Sequence, residues 1–372
     1  MTDDRAGSFT RRDFCKTAAV ASVAAVIPGV GVFAQGSDKF RVGVIGCGGI
    51  ANSVHLPSLS QNKSVQLVAA CDIIEERAAE AAKKYHIPAV HTLYADMLKK
   101  EKLDAVYVLT EPDQLFRPAM VCLSAGKHVF IEKPPGDTTF QAEALLRLAR
   151  EKKRVVSVGL NRRYIPLIQH VVRFMKKHTT ITQVESRFNK HTSAMFGRGC
   201  ISAFPSDTIH SVDVVRWIAG GNPVKAAMIE AHVEDVVPNA WNAVTKFDNG
   251  VTGILRANYQ TGGRVHALEI HGPGASAFVN LGFGDASCDA QIILAGGAQG
   301  YSLSATGAAA KNQVVFDGRQ IAGSDAFHVY YGYAAETEDF IRCILKGKRP
   351  LTDIAEGVKT MQFVDFLLQH RI

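Results

Sequence analysis

Val42-Gly43-Val44-Ile45-Gly46-Cys47-Gly48-Gly49-Ile50-Ala51 decides the architecture of this chain. An apolar, β-rich stretch runs into G-x-G-x-x-A, the pattern of a strand that turns abruptly into a helix over a bound dinucleotide. Gly46 permits the tight turn and Gly48 lets the backbone approach a pyrophosphate. Ala51 is small enough for the helix to lie against its strand. The amides of Gly48, Gly49 and Ile50, at the helix start, then face the phosphates. The next apolar run, Val65 to Cys71, ends in Asp72, twenty-four residues after Gly48. A carboxylate there accepts both ribose hydroxyls of NAD and repels a 2′-phosphate, so NAD is expected rather than NADP.

Up to residue 160 the chain alternates. Near-continuous apolar strands at 40–45, 65–71, 104–109, 128–131 and 154–159 are separated by helical patterns such as Glu75 to Tyr85 and Phe140 to Lys152. That alternation predicts a doubly wound parallel sheet covered on both faces. Beyond it the pattern changes to helices at 165–178 and 207–219, then a series of extended segments between 222 and 292. Asn249-Gly250 and Gly262-Gly263 read as hairpin turns. Two helices close the chain, Ala334 to Lys346 and Ile354 to His370, joined by a linker that begins Gly347-Lys348-Arg349-Pro350. The fold class expected is α/β: a Rossmann domain over 38–160, then an α+β domain over 161–333 with a large, open, mainly antiparallel sheet. Residues 334–372 are expected to pack back on both.

The first 34 residues read as a twin-arginine export signal. Arg11-Arg12-Asp13-Phe14 precedes a weakly apolar Ala/Val-rich run, broken by Pro28, Gly29 and Gly31, that ends in Val32-Phe33-Ala34. Such a run is a poor membrane span. The periplasm is therefore the expected location. The net charge of +7 falls to +6 once that segment, with four basic and three acidic side chains, is removed. The charges are scattered and no aromatic-basic module appears, which speaks against nucleic acid as a partner. Of seven cysteines, Cys15 lies in the signal, Cys47 in the glycine loop, and Cys71, Cys122 and Cys343 in buried runs. Cys200 and Cys288 are the one plausible disulfide pair. No C-x-x-C or H-x-x-x-H spacing suggests a metal.

Lys133 carries the chemistry. It stands in Glu132-Lys133-Pro134, after the strand His128-Val129-Phe130-Ile131, at the carboxyl edge of the sheet where a nicotinamide ring would lie. A lysine after a strand is by default a solvated loop charge, and the glycine loop overturns that default. An amine beside a hydride acceptor polarises or protonates an oxygen.

These features together resemble the glucose-fructose oxidoreductase and inositol dehydrogenase (Gfo/Idh/MocA) family. The glycine loop, Asp72, Ala125-Gly126-Lys127-His128-Val129 leading to Glu132-Lys133-Pro134, Gly159-Leu160-Asn161-Arg162-Arg163-Tyr164, and His210-Ser211-Val212-Asp213 through Trp217 carry the resemblance. It covers essentially the whole chain after the signal. It implies an NAD-dependent oxidoreductase of a sugar, glycoside or polyol, acting on CH–OH groups. Carried over by position, Glu132 would lie by the nicotinamide ribose, Lys133 at the reacting oxygen and His210 as its proton partner, a base titrating near neutrality. Thr110, Pro112 and Asn161 would contact the cofactor, and Arg163 and Tyr164 would face the sugar. Tyr330, with His328, Tyr331 and the run Asn189-Lys190-His191, could line the same cleft.

Two departures stand out. Relatives of this family carry an aspartate four residues before the histidine; here that position is Ser206, and the acid is Asp207, one step round the helix. The turn Thr110-Glu111-Pro112-Asp113 lacks the histidine that would follow near Phe116. Free NAD is scarce outside the cytoplasm, so an exported enzyme is expected to hold its cofactor tightly and to recycle it in place. The alternative is an NAD-dependent glycoside hydrolase or lyase that oxidises a ring hydroxyl transiently and eliminates. An open sheet face favours a homo-oligomer, dimer or tetramer.

Overall fold

The computed structural model describes residues 39–196, 201–283, 286–295 and 313–372. Residues 1–34, read above as an export signal, Cys200 and the Gly/Ala/Ser-rich stretch after residue 295 lie outside these residues.

The first domain is built on a six-stranded parallel sheet ordered β3-β2-β1-β4-β5-β6. Its strands are β1 (Phe40–Ile45), β2 (Val65–Cys71), β3 (Ala89–His91), β4 (Ala105–Val108), β5 (His128–Ile131) and β6 (Val156–Val158). The four residues of β4 and those of β5 are all buried, as apolar strands covered on both faces must be. The strand order reverses between β1 and β4, and the crevice at their carboxyl ends is where an open α/β sheet binds its ligand. Strand β3 and the helices Tyr94–Lys100 and Phe116–Ser124 are short elements that the apolar pattern does not announce.

The second domain is an eight-stranded sheet ordered β10-β11-β12-β7-β13-β14-β15-β16. It comprises β7 (Gln183–His191), β10 (Pro223–Ala231), β11 (Ala240–Phe247), β12 (Thr252–Asn258), β13 (Gln260–Gly272), β14 (Ala275–Leu281), β15 (Cys288–Leu294) and β16 (Gln313–Asp317), with a small hairpin, β8 (Met195–Phe196) and β9 (Ile201–Ser202), set apart. All neighbours in the large sheet are antiparallel except β12 and β7. Asn249-Gly250 makes the expected hairpin between β11 and β12, with Gly250 at φ +88°. Gly262-Gly263 does not: the pair lies inside β13, where the register against β7 slips between Gln260 and Val265. Two adjacent glycines here mark a bulge rather than a reversal.

Helices Pro166–His178 and Ile209–Ala219 cover one face of this sheet and fill its core with Val171, Met175, Val212 and Val215. The two final helices, Tyr333–Leu345 and Ile354–Gln369, tie the domains together. Phe340, Ile341 and Ile344 pack into the core of the first domain, while Val358, Met361 and Val364 pack into that of the second. The same segment closes two sheet edges. Val158 N donates to Thr352 O at 2.9 Å beside β6, and Met228 N donates to His370 O at 2.9 Å beside β10. Unpaired edge amides are thereby satisfied within the chain. Cys47, Cys71, Cys122, Cys288 and Cys343 are buried free thiols.

Candidate active site

The cofactor half of the site begins at Gly46, whose φ of +92° and closeness to the Leu109 carbonyl, 2.7 Å from any added Cβ, leave no room for a side chain. At Gly48 and Gly49 an added Cβ would meet nothing within 4 Å, so both border open space. Asn52 Nδ2 donates to the carbonyls of Cys47 at 2.7 Å and Gly48 at 3.1 Å, which fixes the loop against the turn Ala51–His55. Asp72 Oδ2 accepts from Cys47 N at 2.8 Å and Oδ1 from Ile74 N at 2.9 Å. Each oxygen keeps a lone pair for a further donor.

These residues open onto a cleft of about 310 Å³ lined by Gly46, Gly48, Asp72, Arg77, Thr110 and Gln114, among others. Thr110 Oγ is buried and has no hydrogen-bond partner among the described residues. A dinucleotide fits this chemistry: open glycines for the phosphates, a carboxylate for the ribose, and an unsatisfied hydroxyl beside it. Ile50 and Pro112 stand beside this lining rather than in it.

At the other end of the crevice, Glu132 and Lys133 follow β5. Glu132 Oε1 meets His55 Nε2 at 2.7 Å, and its Oε2 accepts from Lys133 N at 3.0 Å. Burial works to raise the Glu132 pKa, but the His55 hydrogen bond and the charge of Lys133 hold it below the ordinary carboxylate value. Gly159 leaves room for that carboxylate, since an added Cβ would lie 3.0 Å from it. Lys133 Nζ reaches the second domain. It donates to Ser206 O at 2.9 Å and lies 3.7 Å from Asp207 Oδ1.

The segment Phe204–Thr208, with Pro205 at its start, is a wide π-helical turn before Ile209–Ala219. The extra residue in that turn resolves the Ser206/Asp207 departure. Ser206 Oγ turns back to donate to Ser202 O at 2.6 Å, and Asp207 faces the lysine. Asp207 also pairs with Lys190 and accepts from Tyr259 Oη at 2.7 Å. Burial opposes ionisation of Asp207, yet the charges of Lys133 and Lys190 hold its pKa far below the carboxylate range. Lys190 is brought down to about 8 because burial outweighs the attraction of Asp207.

His210 lies in the first turn of its helix, 4% exposed, with Nε2 3.1 Å from Arg162 Nη1. Arg162 donates, so that nitrogen is the acceptor of a neutral ring. Burial first, then the charges of Arg162 and Lys133, push its pKa well below the ordinary histidine value. That corrects the expected titration near neutrality, because the carboxylate that would raise it bonds Lys190 and Tyr259 instead.

Other expected residues are turned elsewhere. Arg163 forks onto Asp213 at 2.9 and 2.6 Å and reaches Glu356 at 3.0 Å, and Tyr164 Oη donates to Asp339 at 2.8 Å. Both tie the final helices to the domain junction rather than facing a sugar. Asn161 is fully buried, its Nδ2 on Tyr331 O at 2.8 Å and its Oδ1 on Arg162, so its amide serves the protein and not a cofactor. Tyr330 packs against Arg319, and His328 meets Gln61 at 3.1 Å. His191 is exposed beside buried Lys190. The residues that sequence reasoning passed over are His55, Arg162, Tyr259, Arg264 and His266. Only His55 left a signal: a histidine among Ala51, Val54 and Leu56, on the stripe that packs inward.

A family model described as "Oxidoreductase family, NAD-binding Rossmann fold" matches residues 40–160, and the Gfo/Idh/MocA C-terminal domain model matches residues 180–278. The chain is 28% identical over 242 residues to an inositol 2-dehydrogenase of Rubrobacter xylanophilus, covering 63% of this chain and 65% of that one. It is 32% identical over 131 residues to the D-glucoside 3-dehydrogenase of Escherichia coli, covering 35% and 37%. It thus spans less than two thirds of these relatives' length. A dehydrogenase from Chromobacterium violaceum superposes with a TM-score of 0.79 at 21% identity, covering 90% of this chain and 96% of that one. The UDP-N-acetylglucosamine 3-dehydrogenase of Acidithiobacillus ferrooxidans follows at 0.75 and 22%, covering 90% and 98%. At these identities the structures share the fold.

Proposed function

Because this chain belongs to the Gfo/Idh/MocA family of NAD-binding oxidoreductases, we propose that it moves hydride to and from a carbinol carbon of a sugar, glycoside or polyol. The observation that carries this reading is the placement of Lys133 Nζ, held by Ser206 O at 2.9 Å and facing Asp207, at the carboxyl end of β5 across from the glycine loop. When bound, the nicotinamide ring supplies the hydride acceptor or donor. Lys133 stabilises the alkoxide that develops as the hydroxyl proton leaves. Asp207 fixes the ammonium in place, and His210, neutral and buried, takes the proton on Nε2 as that nitrogen gives up its hydrogen bond from Arg162. The carboxylate of Asp72 favours NAD over NADP.

The twin-arginine reading of residues 1–34 adds a compartment, the periplasm, where cofactor lost is not replaced. Export of a folded protein with NAD already bound, recycled in place, meets that condition. The exposed face of the large sheet, with Val244 on β11 and Val315 on β16 open to solvent, suits a homo-oligomer, dimer or tetramer. Among the described residues no helix is long and apolar enough to cross a membrane.

The test is a panel of sugars and polyols added to gently purified protein while the near-ultraviolet absorbance of the bound ring is followed. Stoichiometric nicotinamide on acid release, and its reduction by one class of substrate, are expected. A protein isolated empty and active only with added NAD would defeat internal recycling. Aryl glycosides belong in the panel: aglycone release without net reduction would replace hydride exchange by transient oxidation and elimination.

A further inference from the structure

The substrate half of the cleft carries more positive charge than its carboxylates balance. Lys133, Lys190, Arg162 and Arg264 gather there against Asp207 and Glu132; Glu132 is already held by His55, and burial with the charge of Glu132 pushes the third buried carboxyl, Glu336, well up toward its neutral form. Arg264 is the decisive member. It stands in the bulged part of β13 beside Lys190, its guanidinium carbon 3.4 Å from the centroid of the Phe283 ring. It makes no ion pair among the described residues, and its Nε is buried without a hydrogen-bond partner. Burial, then the neighbouring charge of Arg162, lowers its pKa, although a guanidinium stays charged. The same cations weigh on their surroundings: His266, buried beside Tyr331 with its Nε2 unpartnered, is held neutral by burial and by Arg162, Arg264 and Lys190. A stacked guanidinium keeps its fork aimed in one direction, and an oxyanion is what such a fork receives.

We infer that the substrate is an anion, a sugar or polyol bearing a carboxylate or a phosphate whose charge is taken by Arg264 with Lys190 beside it while the reacting hydroxyl lies at Lys133. A buried excess of cations is costly until an anion compensates it. The inference rests on the hydride-transfer reading for the position of the reacting carbon, but the anion site itself does not. Both oxyanion types present the same chemistry to the fork.

The experiment uses cofactor-loaded protein, so that the pyrophosphate site is filled. Turnover is compared for D-glucose against D-glucuronate and against D-glucose 6-phosphate. Calorimetric binding of D-gluconate and of inorganic phosphate is measured on the parent, Arg264→Leu and Arg264→Lys. The charged substrates are expected to exceed glucose in kcat/KM by about tenfold to a hundredfold. Arg264→Leu is expected to weaken probe binding by a similar factor at an unchanged melting temperature, and Arg264→Lys to recover part of it. A preference for glucuronate and gluconate assigns a carboxylate, and one for the phosphates assigns a phosphate ester. Anion binding that depends on Arg264 without turnover of any sugar would retain this site and remove the hydride reading. Glucose bound and turned over as well as its charged partners, or anion binding indifferent to Arg264→Leu, would overturn the inference.

Discussion

Lys133 Nζ stands 3.7 Å from Asp207 Oδ1, so an ammonium at the end of a parallel strand of the first domain is oriented by a carboxylate from the second. Neighbouring Ser206 contributes only its backbone carbonyl, its hydroxyl being turned to Ser202. Replacing Asp207 by Asn is therefore expected to lower kcat by about a hundredfold or more, the range for a group that orients proton transfer. Ser206→Ala should leave kcat within about threefold, since the buried hydroxyl points away from Lys133 and its loss removes one hydrogen bond worth roughly 1 kcal/mol of stability. Rapid-mixing reduction of the bound cofactor measures both. An equal loss in the two variants would show that the hydroxyl matters as much as the acid.

Asp72 holds two backbone amides while facing the cleft. Asp72→Ser should weaken NAD binding by about tenfold to a hundredfold and narrow the gap between NAD and NADP, as the repulsion of a 2′-phosphate disappears. Fluorescence titration of the two reduced cofactors reads the ratio. An unchanged ratio would mean that discrimination lies elsewhere in the cleft.

Arg163 is a structural tie. Arg163→Leu leaves Asp213, fully buried, without its bidentate partner, and weakens the hold on Glu356. Losing one side of a buried pair costs about 3–5 kcal/mol, so the denaturant midpoint should fall steeply while KM for the substrate stays near the parent value. Arg163→Lys should rescue little, because a single ammonium cannot span both Asp213 oxygens. A changed KM with unchanged stability would return Arg163 to the substrate cleft.

Acid should destabilise the fold through its buried histidines. Burial, helped by the charge of Arg154, lowers the pKa of His128 from 6.5 to about 4 while its Nδ1 accepts from Val155 N. The unfolded chain binds the proton first, so stability is complete above pH 6.5 and is lost as pH falls toward 4. The loss for this one residue approaches about 3 kcal/mol at the acid end. His128→Gln should flatten the melting temperature against pH across that window. A slope as steep as the parent's would assign the effect to other groups such as His210 and His266.

The local sequence determined what depends on neighbours along the chain. Gly46, Gly48 and Ala51 write a strand-to-helix turn into a few residues, the apolar runs of β1, β2, β4 and β5 demand burial on both faces, and Asn249-Gly250 encodes a reversal. Asp72 and Lys133 were readable because each sits at a fixed offset from a strand end. What contacts they make was not. The tertiary structure alone decided that Asp207 rather than Ser206 meets Lys133, because an extra residue in the Phe204–Thr208 turn rotates one toward the cleft and the other away. It alone turned Arg163 and Tyr164 inward, since the helices that supply Asp213, Glu356 and Asp339 arrive from 50, 193 and 175 residues further on. It alone gathered Arg162, Lys190, Tyr259 and Arg264 around one carboxylate. Such residues come from separate elements, and only the packing of two sheets against shared helices sets the distances between them.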